Sequence, residues 1–152
     1  DSFSVTGVAT RTEQATVRLK RKTVRVSVTK TINGRQVTKT GSAAIYVKRS
    51  AQATAEAMLT EQFSSTGTAT CTLPTQQEAD NCAIAEAREN AAAIAADTYT
   101  SEMNSRAATE ASNKALVEAR DRATTAAENT TITKKMVRKA KRQARKRALA
   151  QF

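Results

Sequence analysis

The sequence predicts an α+β protein in which an antiparallel β region is followed by a long helical region. Three features predict this class: alternating apolar and polar residues in the first fifty positions, a hairpin signal at Asn33-Gly34, and alanines spaced three and four residues apart after position 76. We expect a basic, Thr-rich β region over 1–75, an acidic, Ala-rich helical region over 76–130, and a basic C-terminal helix or tail over 131–152.

Strand signals fill the first fifty residues. From Val24 to Val28, valines alternate with basic or hydroxyl residues, which is typical of a strand with one apolar face. Asn33-Gly34 predicts a type I′ hairpin turn, followed by a return strand towards Val47. The phase of the alternation slips around Arg21-Lys22, which predicts a bulge or a short turn there.

The stretch 51–63 fits two patterns. Its alanines at 51, 53, 55 and 57 alternate as in a strand, but Ala51, Ala55, Met58 and Leu59 also share one face of a helix. Because Ala, Glu, Met and Leu favour helix, we interpret this stretch as helical.

One segment is echoed within the chain. Residues 3–12 and 63–72 agree at seven of ten positions, with a spacing of sixty residues. The composition is rich in Thr, which accounts for part of this agreement. The alternative hypothesis is a pair of equivalent edge strands that pair with each other or with a neighbouring copy.

From Gln76 to Glu128 the chain has helical periodicity and contains neither Gly nor Pro. It predicts either one helix of about 80 Å or a helical hairpin that turns near 98–105. Glu110–Lys114 and Glu118–Arg122 have the favourable i,i+4 order. Two apolar stripes are predicted: Ala79, Ala83, Ala87, Ala91, Ile94, Ala95 and Thr98, and then Ala108, Ala111, Ala115, Ala119, Ala123 and Ala126.

The composition limits both the core and the chemistry. The 152 residues include 30 Ala and 24 Thr but no Trp, so we expect a small core that needs help from other subunits or a disulfide. With no His, the commonest general base and metal ligand are both missing, and the four glycines are too scattered to form a phosphate loop. We therefore expect a protein that is not an enzyme and has no cofactor or metal.

Charge is arranged along the chain in three blocks. Residues 1–50 carry a net charge of +9, residues 51–133 carry −7, and residues 134–152 carry +9. The last block predicts a helix with a narrow apolar stripe at Val137, Ala140, Ala144 and Ala148, capped by Thr131 or Thr133. Its nine cations are Lys134, Lys135, Arg138, Lys139, Lys141, Arg142, Arg145, Lys146 and Arg147.

Three kinds of partner compete for this basic helix. Nucleic acid or another polyanion would gain the counterion-release term, an acidic protein surface would pair with the cations, and a membrane surface would gain little from an alanine stripe. The basic strand residues could extend the same polyanion-binding surface, or could protect an exposed edge from aggregation. They are Arg18, Lys20, Arg21, Lys22 and Arg25.

Cys71 and Cys82 flank the single proline and predict a disulfide that closes a loop just before a helix. The alternative is a pair of reduced thiols. Two thiolates without His are too few ligands for a zinc site. No stretch approaches the ~20 apolar residues of a transmembrane helix. Since the sequence begins at Asp1 rather than Met, we expect an N-terminal segment that was removed or that lies outside the given sequence, either a signal peptide, a pro-segment or a tag.

Together these features predict a structural or assembly subunit of a virion, filament or similar complex, held by contacts between acidic and basic blocks of neighbouring copies. The predicted setting is extracellular or virion-associated. The alternative is an intracellular nucleic-acid-binding protein, such as a packaging or ribosome-associated component, whose basic C-terminal helix contacts phosphates.

Overall fold

The computed structural model describes residues 1–152 and confirms the α+β class. Two long strands, β1 (Ser2–Ile32) and β2 (Arg35–Ser64), are followed by helices α1 (Gln76–Asn129) and α2 (Lys134–Leu149). The strands form one two-stranded sheet, and the predicted hairpin turn joins them. Asn33 and Gly34 both have positive φ, 52° and 76°, which the backbone of a type I′ turn requires at its two central residues.

The helix predicted over 51–63 is wrong, because these residues belong to β2. Ala53 and Ala57 are buried, and the residues between them alternate in exposure with the period of two that a strand requires. The helix propensity of Ala, Glu, Met and Leu is a weak preference, and here the packing of small side chains on one face of the sheet outweighs it.

The predicted phase slip is a bulge in β1. Hydroxyl pairs cross the sheet at Thr16–Ser50 and Ser27–Thr40, with oxygen–oxygen distances of 2.7 and 2.8 Å. Eleven residue steps separate the two pairs along β1, whereas ten separate them along β2. One extra residue therefore lies in β1, and the burial pattern changes phase between Arg21 and Val24.

α1 is one continuous helix, so of the two predicted alternatives the rod is correct. Its buried residues lie at every fourth position, not at mixed spacings of three and four. Ile94, Thr98 and Ala126 are exposed, in contrast to the predicted stripes. The stripe that is buried or half-buried runs through Ala91, Ala95, Tyr99, Met103, Ala107, Ala111, Ala115, Ala119, Ala123 and Ala127.

This spacing lets a helix match a strand. Four residues rise about 6.0 Å along an α-helix, and two residues rise about 6.6 Å along a strand. Successive alanines of the stripe can therefore each meet one of the successive inward-facing residues of a strand. Since four residues also rotate about 40° beyond a full turn, the stripe moves gradually around the helix, in keeping with the twist of a two-stranded ribbon.

The chain divides into two compact units, which we name by their charge. The acidic unit comprises Asp1–Glu13 and Ala53–Val117, and contains 4 Lys+Arg and 11 Asp+Glu, a net charge of −7. The basic unit comprises Gln14–Gln52 and Glu118–Phe152, and contains 21 Lys+Arg and 3 Asp+Glu, a net charge of +18. Each unit contains a part of both strands and a part of the helices.

In the acidic unit the sheet packs closely on α1. A Cβ on Gly7 would overlap the carbonyl group of Met103, and one on Gly67 would overlap the carbonyl oxygen of Ala87. The side chains of Val5, Ala95 and Met103 form a buried cluster, beside which the rings of Phe63 and Tyr99 stack with centroids 4.0 Å apart. Small residues thus allow the backbones to approach, and a few large ones fill the remaining space.

The basic unit repeats this scheme with α2, and here the predicted apolar stripe is confirmed. Ala140, Ala144 and Ala148 are buried, again at every fourth position. A Cβ on Gly41 would overlap the carbonyl oxygen of Ala144. Thr133 is the N-cap, and its side chain accepts a hydrogen bond from the backbone N–H of Met136 at 3.2 Å.

The echoed segments do not pair with each other along their length. Residues 3–12 lie in β1, where Ser4, Thr6 and Thr12 bond to Gln62, Thr60 and Thr54 of β2. The backbone N–H of Ser65 still donates to the carbonyl oxygen of Asp1 at 3.3 Å, whereas residues 66–72 continue without a ladder partner, although alternate residues stay half-buried. Both echoes place a glycine against the backbone of α1, at Gly7 and Gly67.

The predicted disulfide is present between Cys71 and Cys82, whose Cα atoms are 5.9 Å apart. It closes the loop that leads from the extended segment into α1. Glu86 lies near the two sulfurs, but a disulfide offers no thiolate, so only the carboxylate of this group is available to a cation. Neither helix is long and apolar enough to cross a membrane.

Candidate functional site

All fourteen cations singled out in the sequence lie in the basic unit. Residues 14–50 of the first basic block and all of the second, more than eighty residues apart in the sequence, thus belong to one compact unit. The buried Ala140, Ala144 and Ala148 face the core of this unit, and every Lys and Arg of α2 is exposed. The N-terminal part of α2 packs on Val24, Ala43 and Ile45. Alanine packing therefore holds the most basic helix against the most basic part of the sheet.

Two of these fourteen cations donate side-chain hydrogen bonds within the chain. Arg21 lies at the bulge and donates through Nη1 to the carbonyl oxygens of Ala127 and Thr130, at 2.5 and 2.7 Å. A guanidinium at the C-terminal end of α1 satisfies carbonyls that the helix itself leaves unpaired. Arg147 donates to the carbonyl oxygen of Ser42 at 2.7 Å. We assign both residues mainly structural roles.

The remaining cations of α2 have no acidic partner in the chain. Of the five ion pairs in the structure, four lie in the acidic unit. The fifth, Arg122–Glu118, is an i,i+4 pair on α1. No residue of α2 takes part in any of them. The nine like charges of α2 therefore repel one another without intramolecular compensation.

The acidic unit contrasts with this arrangement. Arg106 contacts Glu61 of β2 and also Glu102, whose carboxylate is 2.7 Å from Nη2. The negative charge of Glu61 raises the pKa of the Arg106 guanidinium, and the hydrogen bond and charge of Glu102 raise it further. Lys114 pairs with Glu110 at 3.1 Å. Three of the four cations of this unit are paired with carboxylates.

One groove in the basic unit gathers cations from the sheet and from α2. It has a volume of about 320 Å³ and is lined by Arg18, Tyr46, Lys48, Lys139 and Gln143, among others. The Arg18 guanidinium carbon lies 3.9 Å from the centroid of the Tyr46 ring. No carboxylate lines the groove. Arg18 and Lys139 were among the predicted polyanion-binding residues, whereas Lys48, Tyr46 and Gln143 were not.

Of the residues that were not predicted, Lys48 could have been found from the register of the two strands. Because Thr16 lies opposite Ser50, an antiparallel ladder places Arg18 opposite Lys48 on the same face. That register depends on the bulge, so only a prediction that fixed its position could have paired these two cations.

Side chains from the helices cover parts of the strand edges. Gln151 and Arg122 donate to the carbonyl oxygens of Thr40 and Gln52 in β2, at 2.8 and 3.0 Å. Asn104 accepts from the backbone N–H of Val8 in β1 at 3.0 Å. These contacts satisfy edge groups that would otherwise be free to pair with another strand.

The chain matches no protein-family model, no curated protein and no solved structure.

Proposed function

We propose that this protein is a non-enzymatic polyanion-binding protein whose basic unit contacts the phosphates of a nucleic acid. The observation that carries the proposal is the unbalanced charge of that unit, 21 Lys+Arg against 3 Asp+Glu. A folded surface with this excess gains free energy when it displaces counterions from a phosphate backbone.

The geometry favours phosphates over base edges as the contacts. The cations of α2 are exposed, and the buried face of this helix consists of alanines. α2 itself contains no aromatic residue. Sequence-specific or single-stranded recognition usually needs aromatic side chains or base-edge contacts. We therefore expect binding with little sequence preference and a strong dependence on salt.

The test is the affinity of the full chain for a fluorescein-labelled 20-base-pair DNA duplex, measured by anisotropy between 50 and 300 mM NaCl. If six phosphates are contacted, log K should fall with log [salt] with a slope of about −5. A slope shallower than about −2 would show that phosphate neutralisation is not the main contribution to binding.

A matched pair of variants locates the surface. Lys141→Gln/Arg145→Gln removes two charges from α2, and Arg11→Gln/Lys114→Gln removes two from the acidic unit. We expect the first to weaken binding about tenfold or more and to make the slope shallower by about 2. The second should change affinity less than twofold. Equal effects of the two variants would contradict the assignment to the basic unit.

A second candidate function is a structural subunit that assembles head to tail through its acidic and basic units. The favouring observation is the separation of charge, −7 in one unit and +18 in the other. Such contacts would leave +11 per copy uncompensated, and the covered strand edges offer less backbone for pairing. These two points rank assembly behind polyanion binding, although an assembly around a nucleic acid would combine both.

Light scattering across the same salt series separates the two candidates. Nucleic-acid-free oligomers that dissociate as salt rises would favour the assembly function. A chain that stays monomeric without nucleic acid, and binds it at low salt, would favour the polyanion function.

For its setting we propose an extracellular or virion-associated location. The Cys71–Cys82 disulfide supports this, because disulfides persist in oxidising environments. Alkylation of the native protein before reduction is the test. Modification of both cysteines would contradict the proposal and favour an intracellular nucleic-acid-binding protein.

A further inference from the structure

We propose that the groove lined by Arg18, Tyr46, Lys48 and Lys139 is a specific phosphate subsite within the basic unit. The inference rests on the proposed polyanion function and deepens it, because it assigns one preformed position to a phosphate group. The groove volume of about 320 Å³ is at the lower end of the range of small-ligand sites, about 300–1,000 Å³.

The stacking of Arg18 on Tyr46 positions a phosphate donor. The Arg18 guanidinium carbon lies 3.9 Å from the centroid of the Tyr46 ring, and no carbonyl or carboxylate of the chain accepts from its N–H groups. These N–H groups therefore remain available for a bidentate contact with an oxyanion. Tyr46 is 43% exposed, so its ring is open to Arg18 from the solvent side. The ring thus reduces the entropy that a flexible arginine would lose on binding.

Lys48 supplies a second cation whose placement is unfavourable without an anion. The register puts it directly opposite Arg18 on one face of the sheet, and like charges in that position destabilise a strand pair. Neither side chain has a carboxylate partner. A bound phosphate between them would turn this repulsion into attraction.

Lys139 and Gln143 complete the groove from α2. They are four residues apart, so they lie on the same side of the helix, and both line the groove. The site therefore brings together three cations and an amide from the sheet and a helix of the same compact unit. A surface that attracted polyanions only through its net charge would not require three cations and an amide to line one groove.

The experiment compares two double variants of the full chain with the same change in charge on the same elements. Lys48→Gln/Lys139→Gln removes two groove cations from β2 and α2, and Arg35→Gln/Lys141→Gln removes two cations of the same elements outside the groove. The probes are the 20-base-pair duplex and inorganic tripolyphosphate, at 100 mM NaCl. We expect the groove variant to bind each probe about tenfold more weakly than its control. A roughly tenfold loss of affinity is what the removal of one well-formed charged hydrogen bond produces.

Tyr46→Leu tests the stacking without changing the charge. It should weaken binding about threefold while the salt slope stays at the wild-type value, because the number of neutralised phosphates is unchanged. Equal affinity of wild type and Tyr46→Leu would refute the positioning role of the ring. Circular dichroism of every variant confirms that the fold is retained.

The outcomes distinguish this inference from the function on which it rests. If wild type binds the duplex but the groove and control variants lose affinity equally, the subsite is refuted and the polyanion function stands. If wild type does not bind the duplex at 50 mM NaCl, the proposed function fails. A groove effect seen with the duplex but absent with tripolyphosphate would overturn the assignment to phosphate and point to another part of the nucleotide.

An NMR titration provides a readout that does not depend on the variants. The side-chain Nε–H signal of Arg18 should shift and saturate at a tripolyphosphate concentration about tenfold below that needed for Arg35. Parallel shifts of the two signals would contradict a preformed site.

Discussion

The acidic and basic units pack their sheet on a helix in the same way. Gly7 contacts the backbone of α1 in one, and Gly41 contacts the backbone of α2 in the other. In both, a buried or half-buried residue, in most places alanine, recurs at every fourth helical position. Their surfaces nevertheless carry −7 and +18. Small buried residues therefore specify the packing, and the exposed positions are free to carry either sign of charge.

The two units also differ in how many of their cations form ion pairs with carboxylates. In the acidic unit three of four cations pair with carboxylates, whereas in the basic unit only Arg122 does. A surface with paired charges gains a little stability from each, about 0–1 kcal/mol. A surface with unpaired like charges loses stability until an anion arrives, which makes the basic unit the one whose properties should depend on a ligand.

The largest expected effect tests the shared packing. Gly7→Ala and Gly41→Ala should each destabilise the protein by about 3 kcal/mol or more, because the added Cβ overlaps helix backbone that cannot move alone. Urea unfolding measures the change. Gly34→Asn is the control, since nothing lies within 4 Å of its Cβ and Asn tolerates positive φ. A change below about 0.5 kcal/mol for Gly41→Ala would mean that the two units do not share this contact.

The disulfide should distinguish the units, because only the acidic unit contains one. Cys71→Ser/Cys82→Ser should cost about 2.8 kcal/mol at 25 °C in the chain-entropy model for a loop of this length. Dithiothreitol should lower the stability of wild type to that of the double variant and leave the variant unchanged. If reduction of wild type has no effect on its urea midpoint, the bridge does not contribute to stability.

Arg21 tests a contact that only the basic unit makes. Arg21→Gln should cost about 1.5 kcal/mol, because two carbonyl oxygens at the end of α1 lose a charged donor. Arg25→Gln is the control, because it removes the same charge from an exposed position of the same strand. The Arg25 side chain makes no hydrogen bond or ion pair that the substitution could break. Thermal unfolding should therefore separate the two variants, and equal melting temperatures would argue against the helix-end contact.

The smallest effect has opposite signs in the two units. Lys141 and Arg145 are like charges at i,i+4 on α2, so Lys141→Gln should stabilise the protein at low salt by about 0.3 kcal/mol. Lys114→Gln, which breaks the pair with Glu110, should destabilise it by a similar amount. Both differences should shrink at 1 M NaCl, where charges are screened within about 3 Å. Effects of the same sign would contradict the contrast in charge satisfaction.

The features that could be predicted from the sequence are those whose signals are local. The turn at Asn33-Gly34, the slip at Arg21-Lys22 and the Cys71–Cys82 disulfide all follow from a few neighbouring residues, and the structure contains each of them. Of the two caps predicted for the last helix, Thr131 and Thr133, the structure has Thr133. The basic C-terminal helix could also be predicted from local sequence, because its alanines recur at a helical spacing and its cations occupy positions between them.

The features that could not be predicted depend on contacts between residues that are distant in the sequence. The residues 51–63 have a helical composition, and only their packing on one face of the sheet selects the strand. For α1 the prediction was a pair of stripes with spacings of three and four, because a constant spacing of four becomes favourable only when the helix packs against a twisted sheet with a period of two. In the candidate site, Lys48 faces Arg18 only because of the register that the bulge imposes.

The match between four helical residues and two strand residues has a further consequence. Two nearly commensurate repeats also match after they slip by one step, so alanines alone would let a helix slide along the sheet between positions of similar energy. Non-repeating residues must therefore fix the alignment: Gly7 and Gly41 fit at one place each, and Met103 and the stacked Phe63 and Tyr99 fill one gap. Regular packing provides cohesion, and its few irregular positions select one native alignment.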